Sequence, residues 1–204
     1  MAASLTREDA GRPAVRAPQI ETARLRLRPF APTDLDALCR ITADPEVMRY
    51  IGDGRALTPE ETEASLRNIM DAFRRRGYGR WAVEEKAGGA LLGYCGLGLP
   101  AESPGVELVY MLARSAWGRG LATEASVAVL RYAFEELGLE RVYALTMPGN
   151  VRSRRVLERV GMEYLRDDCY FGYACVCYAL ERARWRPGPG LYRLRTEEAG
   201  AALR

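Results

Sequence analysis

Two stretches of this chain combine residue types and spacing that could do chemistry. The first is Val109-Tyr110-Met111-Leu112, followed after a short connection by Trp117-Gly118-Arg119-Gly120-Leu121-Ala122-Thr123-Glu124-Ala125. An apolar strand runs into a Gly-spaced turn, and the turn opens a long helix. A helix N-terminus made of small residues leaves backbone N–H groups unpaired and unshielded. The N–H groups of residues 118–123 could therefore hold a phosphate or pyrophosphate, with Gly118 and Gly120 letting it approach the main chain. The second stretch is Asn150-Val151-Arg152-Ser153. Asn150 suits a helix N-cap, and Ser153 would sit one helical turn further on.

What is missing narrows the chemistry. The chain has no histidine, so Ser-His-Asp and Cys-His nucleophilic catalysis cannot be assembled, and His-ligated metal sites are excluded. The five cysteines, Cys39, Cys95, Cys169, Cys175 and Cys177, are odd in number and lack paired CxxC spacing. That argues against a disulfide framework and a thiolate metal centre and for small buried apolar side chains. The net charge of +3 is too small to argue for nucleic acid. Lys86 is the only lysine among 30 basic residues, a bias more in keeping with base composition than with chemistry. No run approaches the roughly 18 apolar residues of a membrane span. Met1 to Pro18 lacks the apolar core of a secretion signal, so a cytoplasmic location is expected.

The elements that must position these residues follow from periodicity and caps. Arg24 to Arg28 alternates charged and apolar residues as a half-buried strand does, and Pro29 ends it. Thr33 to Thr42 carries apolar residues at helical spacing, with a short helical turn around Glu46 to Tyr50. Thr58-Pro59-Glu60-Glu61 is a capping-box start for a helix that runs to Arg76, an exposed basic end, and stops at Gly77. A meander follows: Arg80–Glu85, Ala90–Leu99 and Val106–Leu112. The helix opened at Gly120 runs to Leu137. Arg141–Met147 is a strand, Asn150–Val160 a helix, and Met162–Asp167 with Tyr170–Leu180 a terminal pair of strands. Beyond Arg186 a Pro-Gly-Pro-Gly stretch marks a tail. This order is neither a regular βαβ alternation nor strands followed by helices, and it predicts an α/β chain with one mixed sheet and helices on its faces.

Among phosphate-binding sites, a P-loop requires Gly-Lys-Ser/Thr at the helix start, and the lysine is absent. The dinucleotide fingerprint is nearer, but Thr123 stands where Gly or Ala belongs, and a meander replaces the repeating βα unit. A third pattern accounts for more residues at once. Trp117-x-x-Gly120-x-Ala122 with Thr123-Glu124-Ala125 resembles the acetyl-coenzyme A pyrophosphate loop of the GCN5-related N-acetyltransferases (GNAT), in particular their RimJ/RimL-like, ribosomal-protein alanine acetyltransferase branch. Arg24–Pro29 with Asp34, Asp44–Tyr50, Glu107-Leu108-Val109-Tyr110 and Asn150–Met162 resemble further motifs of that family in the same order. Two positions depart from it. Trp117 stands where much of the superfamily has Gln or Arg, and Leu108-Val109 replaces the usual Ile-Gly.

The resemblance implies a GNAT fold, with a central, mostly antiparallel sheet and helices on both faces. It places the domain at 20–183, between a flexible N-terminal segment, 1–19, and a C-terminal tail, 184–204. It implies acetyl-CoA as co-substrate, no metal, and an amine acceptor such as a peptide N-terminus or a small molecule. The cofactor would meet the main chain of Tyr110, Met111 and Leu112 as an added strand. It would also meet Trp117, Gly118, Arg119, Gly120, Leu121, Ala122 and Thr123 at the loop, and Asn150. Arg119 could screen phosphate or simply be solvated. Ser153 could protonate the leaving thiolate or make ordinary first-turn hydrogen bonds. Glu107 is the candidate base, directly or through water, because a protonated amine cannot attack a thioester and no histidine is present. A cross-strand pair with Arg80 is its structural alternative. A homodimer is implied by the family, and neither nucleic acid nor membrane is an expected partner. An acyl-CoA-sensing module and a purely structural protein are the competing classes; the presence of both Glu107 and Ser153 weighs against the sensor, and a structural protein would make the ordered motif set a coincidence.

Overall fold

The computed structural model of the chain describes residues 18–188 and 190–195. Two short strands, β1 (Gln19–Glu21) and β2 (Leu25–Arg28), lead through a single 3-10 turn at Pro32–Asp34 into α1 (Leu35–Thr42), α2 (Pro45–Met48) and α3 (Pro59–Arg76). The meander β3 (Arg80–Glu85), β4 (Leu91–Gly98) and β5 (Glu107–Leu112) follows. Then come α4 (Leu121–Arg131), prolonged by a π-type turn at Tyr132–Glu136, β6 (Arg141–Thr146), α5 (Val151–Arg159), β7 (Glu163–Tyr170), β8 (Tyr173–Glu181) and β9 (Arg193–Arg195). The expected N-terminal segment lies outside the described residues as far as residue 17.

The caps behave as their chemistry requires. Thr58 Oγ1 accepts from the Glu61 N–H (3.3 Å), and the Glu61 carboxylate accepts from the Thr58 N–H (2.9 Å). This satisfies two of the donors that a helix start leaves over. The sequence prediction of one continuous helix from Gly120 to Leu137 is altered in one respect: its last turn loosens to π geometry. Two strands were not anticipated, β1 and β9. Each is three residues long and pairs antiparallel with the other. Such short segments carry almost no periodicity of their own.

The nine strands form one sheet in the order β7-β8-β6-β5-β4-β3-β2-β1-β9. Every neighbouring pair is antiparallel except β5 and β6, which α4 connects as a parallel crossover. Helices cover both faces. On one, α4 packs Leu121, Ala125 and Val129 against Trp81, Cys95, Leu97, Leu108 and Leu112. On the other, α1 and α3 pack Leu38, Ile41, Leu66 and Ile69 against Ala82 and Met111. The alternation along β5 therefore sends Leu108 and Leu112 to one core and Met111 to the other.

The parallel pair is short. Its register joins only Glu107 with Tyr143, where the Tyr143 N–H donates to the Val106 carbonyl at 2.9 Å. Beyond that bridge the two six-residue strands no longer pair, and a wedge opens in the middle of the sheet toward the Leu112 end of β5.

Candidate active site

The Gly-spaced turn lies at the mouth of this wedge. Gly118 and Gly120 both adopt left-handed backbone (φ 73° and 75°), and Gly120 occupies the N-cap position of α4 with no side chain capping the helix. Among the described residues the N–H groups of residues 118–123 find no acceptor; the first bond of the helix is Glu124 N–H to the Gly120 carbonyl. A Cβ at Gly118 would meet nothing within 4 Å. Open donors at a positive helix end, beside bare backbone, fit a pyrophosphate.

The cradle is anchored from below. Glu124, in the first turn of α4, accepts from the Thr22 hydroxyl (2.6 Å), the Arg24 N–H (2.9 Å) and Arg24 Nε (2.7 Å). Arg24 Nη1 also donates to the Arg119 carbonyl (2.8 Å). Burial alone would raise the Glu124 pKa, but the bonds from Thr22 and Arg24 hold it below the usual carboxylate range. Arg119 is neither free nor merely solvated: its guanidinium pairs with Glu85. Of residues 118–123, what lies open is main chain; the Leu121 side chain is wholly buried in the core.

Along the wall of the wedge, hydrogen bonding alternates. The Ala113 N–H donates to the Leu92 carbonyl (2.7 Å), and a Cβ at Gly93 would fall 2.1 Å from the Met111 carbonyl oxygen. With the β4–β5 register, this turns the main chain of Met111 toward β4 and that of Tyr110 and Leu112 toward the wedge. The Leu112 carbonyl is engaged there by the Trp117 indole N–H (2.8 Å). The Trp117 ring is in turn covered by the Arg152 guanidinium, 4.6 Å from its centroid, so the loop and α5 meet across the cleft.

On the far side Asn150 caps α5, its Oδ1 accepting from the Ser153 N–H (3.2 Å). Ser153 Oγ lies 2.8 Å from the Tyr110 hydroxyl, which also donates to the Ser153 carbonyl (3.1 Å). Burial raises the Tyr110 pKa, partly offset by Ser153, so the phenol stays protonated. Sequence reasoning assigned Tyr110 only a main-chain role. Its side chain was visible as the aromatic of an acidic-x-x-aromatic strand, but its partner lies 43 residues away.

Glu107 sits on the opposite face of β5, the Met111 face. It is 5 % exposed, and its Oε1 is buried with no hydrogen-bond partner among the described residues. Desolvation raises its pKa, with the Ser103 hydroxyl and the Arg80 charge drawing it back in part. The cross-strand pair with Arg80 is not found; that guanidinium stacks over the Tyr94 ring at 5.2 Å. A buried carboxylate with an open lone pair can take a proton at neutral pH far better than one in water. Among the described residues no group of three or more His, Cys, Asp or Glu could hold a metal ion, and no helix is long and apolar enough to cross a membrane.

Comparison with known proteins identifies the family. Residues 24–163 match the family model described as an acetyltransferase (GNAT) domain. The chain is 36% identical over 154 residues to the Bacillus subtilis protein YkkB, covering 72% of this chain and 86% of that one. It is 32% identical over 157 residues to the FsC-acetyl coenzyme A-N(2)-transacetylase of Aspergillus fumigatus, covering 72% and 66%. The crystal structure of a GNAT-family acetyltransferase from Bacillus anthracis superposes with a TM-score of 0.71 at 27% identity, covering 81% of this chain and 99% of that one.

Proposed function

The chain belongs to the GNAT acetyltransferase family, and from that premise we propose that it transfers the acetyl group of acetyl-CoA to a primary amine by direct attack in a ternary complex. The amine is a protein N-terminal α-amine or a small-molecule amine. One observation carries this reading. Among the described residues β5 borders an open wedge with unbonded main chain at Tyr110 and an unbonded N–H at Leu112, a desolvated carboxylate on one face, and the Tyr110–Ser153 hydroxyl pair on the other.

Acetyl-CoA supplies an activated acyl thioester. The N–H groups of residues 118–123 hold its pyrophosphate, and the wedge-facing main chain of Tyr110 and Leu112 lines the path of its arm, where an N–H can stabilise charge developing on the acyl oxygen. Asn150 borders that path as the cap of α5. Glu107 accepts the proton of the attacking amine. Freeing an α-amine of pKa near 8 costs about 1.4 kcal/mol at pH 7, against nearly 5 kcal/mol for a lysine-type amine near 10.4. The raised pKa of Glu107 brings the carboxylate nearer to the amine in proton affinity and so eases the transfer between them. Ser153, backed by the Tyr110 hydroxyl, delivers a proton to the departing thiolate from the opposite face.

The name of the Aspergillus relative joins acetyl coenzyme A to an N(2)-transacetylase, which supports a nitrogen acceptor. The loop and helix motifs favour the RimJ/RimL-like branch, with a cytoplasmic setting and a homodimer as accompanying expectations. The test is free-thiol release from acetyl-CoA across N-terminal peptides, polyamines and aminoglycosides. Amine-dependent release supports transfer. Tight acetyl-CoA binding with no release for any amine favours a sensor.

A further inference from the structure

The turn between β7 and β8 holds a strained residue that neither the core nor the proposed chemistry accounts for. Tyr170 pairs with Tyr173, leaving Phe171 and Gly172 as a two-residue turn with φ of 55° and 76°. Both central residues left-handed define a type I′ hairpin turn, in which Asn-Gly is strongly preferred. A bulky residue there is an outlier that persists only where its surroundings over-determine it. Burial does not compensate, since Phe171 is 44% exposed. What the conformation provides is an N–H aimed at Glu102, whose Oε2 accepts it at 2.7 Å.

Glu102 lies on the β4–β5 loop, and the bond carries that loop past β6 to the hairpin. The same loop runs directly into β5 and bears Ser103, four residues before Glu107, whose hydroxyl donates to the Gly105 carbonyl (2.7 Å) and accepts from the Gly105 N–H (3.3 Å). Gly105 lies against the Tyr143 ring, where a Cβ would come within 2.9 Å of Cε2. We propose that Glu102 is a positioning residue for Glu107: bonded to the Phe171 N–H, it clasps the β4–β5 loop over the carboxylate and keeps water from it. This rests on the reading of Glu107 as the base. The other groups acting on that carboxylate are Arg80 from β3 and Cys175 and Cys177 from β8, with Tyr143 beside it on β6. The clasp leaves all of these in place. Opening it would let water reach Glu107 and reduce its desolvation, the largest influence on that carboxyl.

The experiment uses the full-length protein with E102A, E102Q and E107Q. In E102A the acidic limb of kcat should move to lower pH by about one pH unit, and hydrogen exchange at the Phe171 amide should quicken at least ~10-fold, with acetyl-CoA affinity unchanged. E102Q keeps an acceptor oxygen and should restore both. An E102A limb that stays in place, or an E102Q limb that moves with it, overturns the clasp. The E107Q control separates the two readings: full turnover in E107Q removes the base itself, whereas an inactive E107Q with an unmoved E102A limb removes only the role of Glu102.

Discussion

The Tyr110 hydroxyl and Ser153 Oγ stand 2.8 Å apart across the open side of β5, joining the strand before the loop to the helix beyond it. Two hydroxyls in contact can pass a proton in either direction, so neither acts alone. Ser153→Ala and Tyr110→Phe should each lower kcat by about 10²-fold, at the low end for acid catalysis because a thiol is a good leaving group. The double variant should be little worse than either single one, as for groups that act as a unit. Additive losses in steady-state kinetics would show that the hydroxyls work separately.

Glu107→Gln removes the proton acceptor while keeping the side chain's shape. Turnover should fall by roughly 10²- to 10⁴-fold, with acetyl-CoA binding by calorimetry unchanged, because the cradle is on α4. In the parent protein kcat should decline on acidification at a pH above the ordinary glutamate range, since burial raises the Glu107 pKa and only the ionised form can accept a proton. Parallel loss of binding and turnover in the variant would return Glu107 to a structural role.

Gly118→Ala places a methyl group beside the open N–H donors, on backbone at φ 73°. The left-handed conformation should cost about 1–2 kcal/mol in urea unfolding, and acetyl-CoA affinity should fall about tenfold, equivalent to ~1.4 kcal/mol. Gly138→Ala is the control: φ there is 65°, with nothing within 4 Å of a Cβ, at a helix end remote from the cradle. It should lose similar stability and no affinity.

Glu124 links acid stability to the cofactor loop. Its folded-state pKa lies below the ordinary value, held there against desolvation by Thr22 and Arg24. Its contribution is thus fully present above the unfolded-state value and lost as pH falls through the folded one. Glu124→Gln should lower stability at neutral pH and weaken acetyl-CoA binding by loosening the first turn of α4. The stabilities of variant and parent should converge as pH falls below the ordinary glutamate range, where the lowered folded-state pKa of Glu124 is crossed. A gap that stays constant through that acid range would show that the charge of Glu124 contributes nothing.

What was legible in the sequence was local. The Thr58–Glu61 box, the Gly118–Gly120 turn and the Asn150 cap each depend on groups within four residues, so composition and spacing reveal them. The β3–β5 meander announces itself by period and by a tight Gly88-Gly89 turn. Glu107 and Ser153 could be picked out as chemical candidates, but their environments could not. The three-residue β1 and β9, by contrast, depend on their partners: β9 on β1, far away in the chain, and β1 on both β2 and β9.

Residue type and short-range sterics sufficed for most of the elements, for the anion-ready helix start and for a chemistry without histidine; β1, β9 and the π turn that ends α4 lay beyond them. Only the tertiary structure decided how they act together. It parted β5 from β6 after Glu107, turned Tyr110 and Leu112 to the wedge and Met111 to β4, and buried Glu107 with an oxygen unpartnered. It also brought Ser153 to Tyr110 and Glu102 to Phe171. The physical reason is common to all of these. Desolvation, strand pairing and contacts between residues 40 to 100 positions apart, such as Tyr110 with Ser153 and Arg24 with Glu124, depend on which surfaces the packed sheet and helices bring together, and no local pattern of residues carries that information.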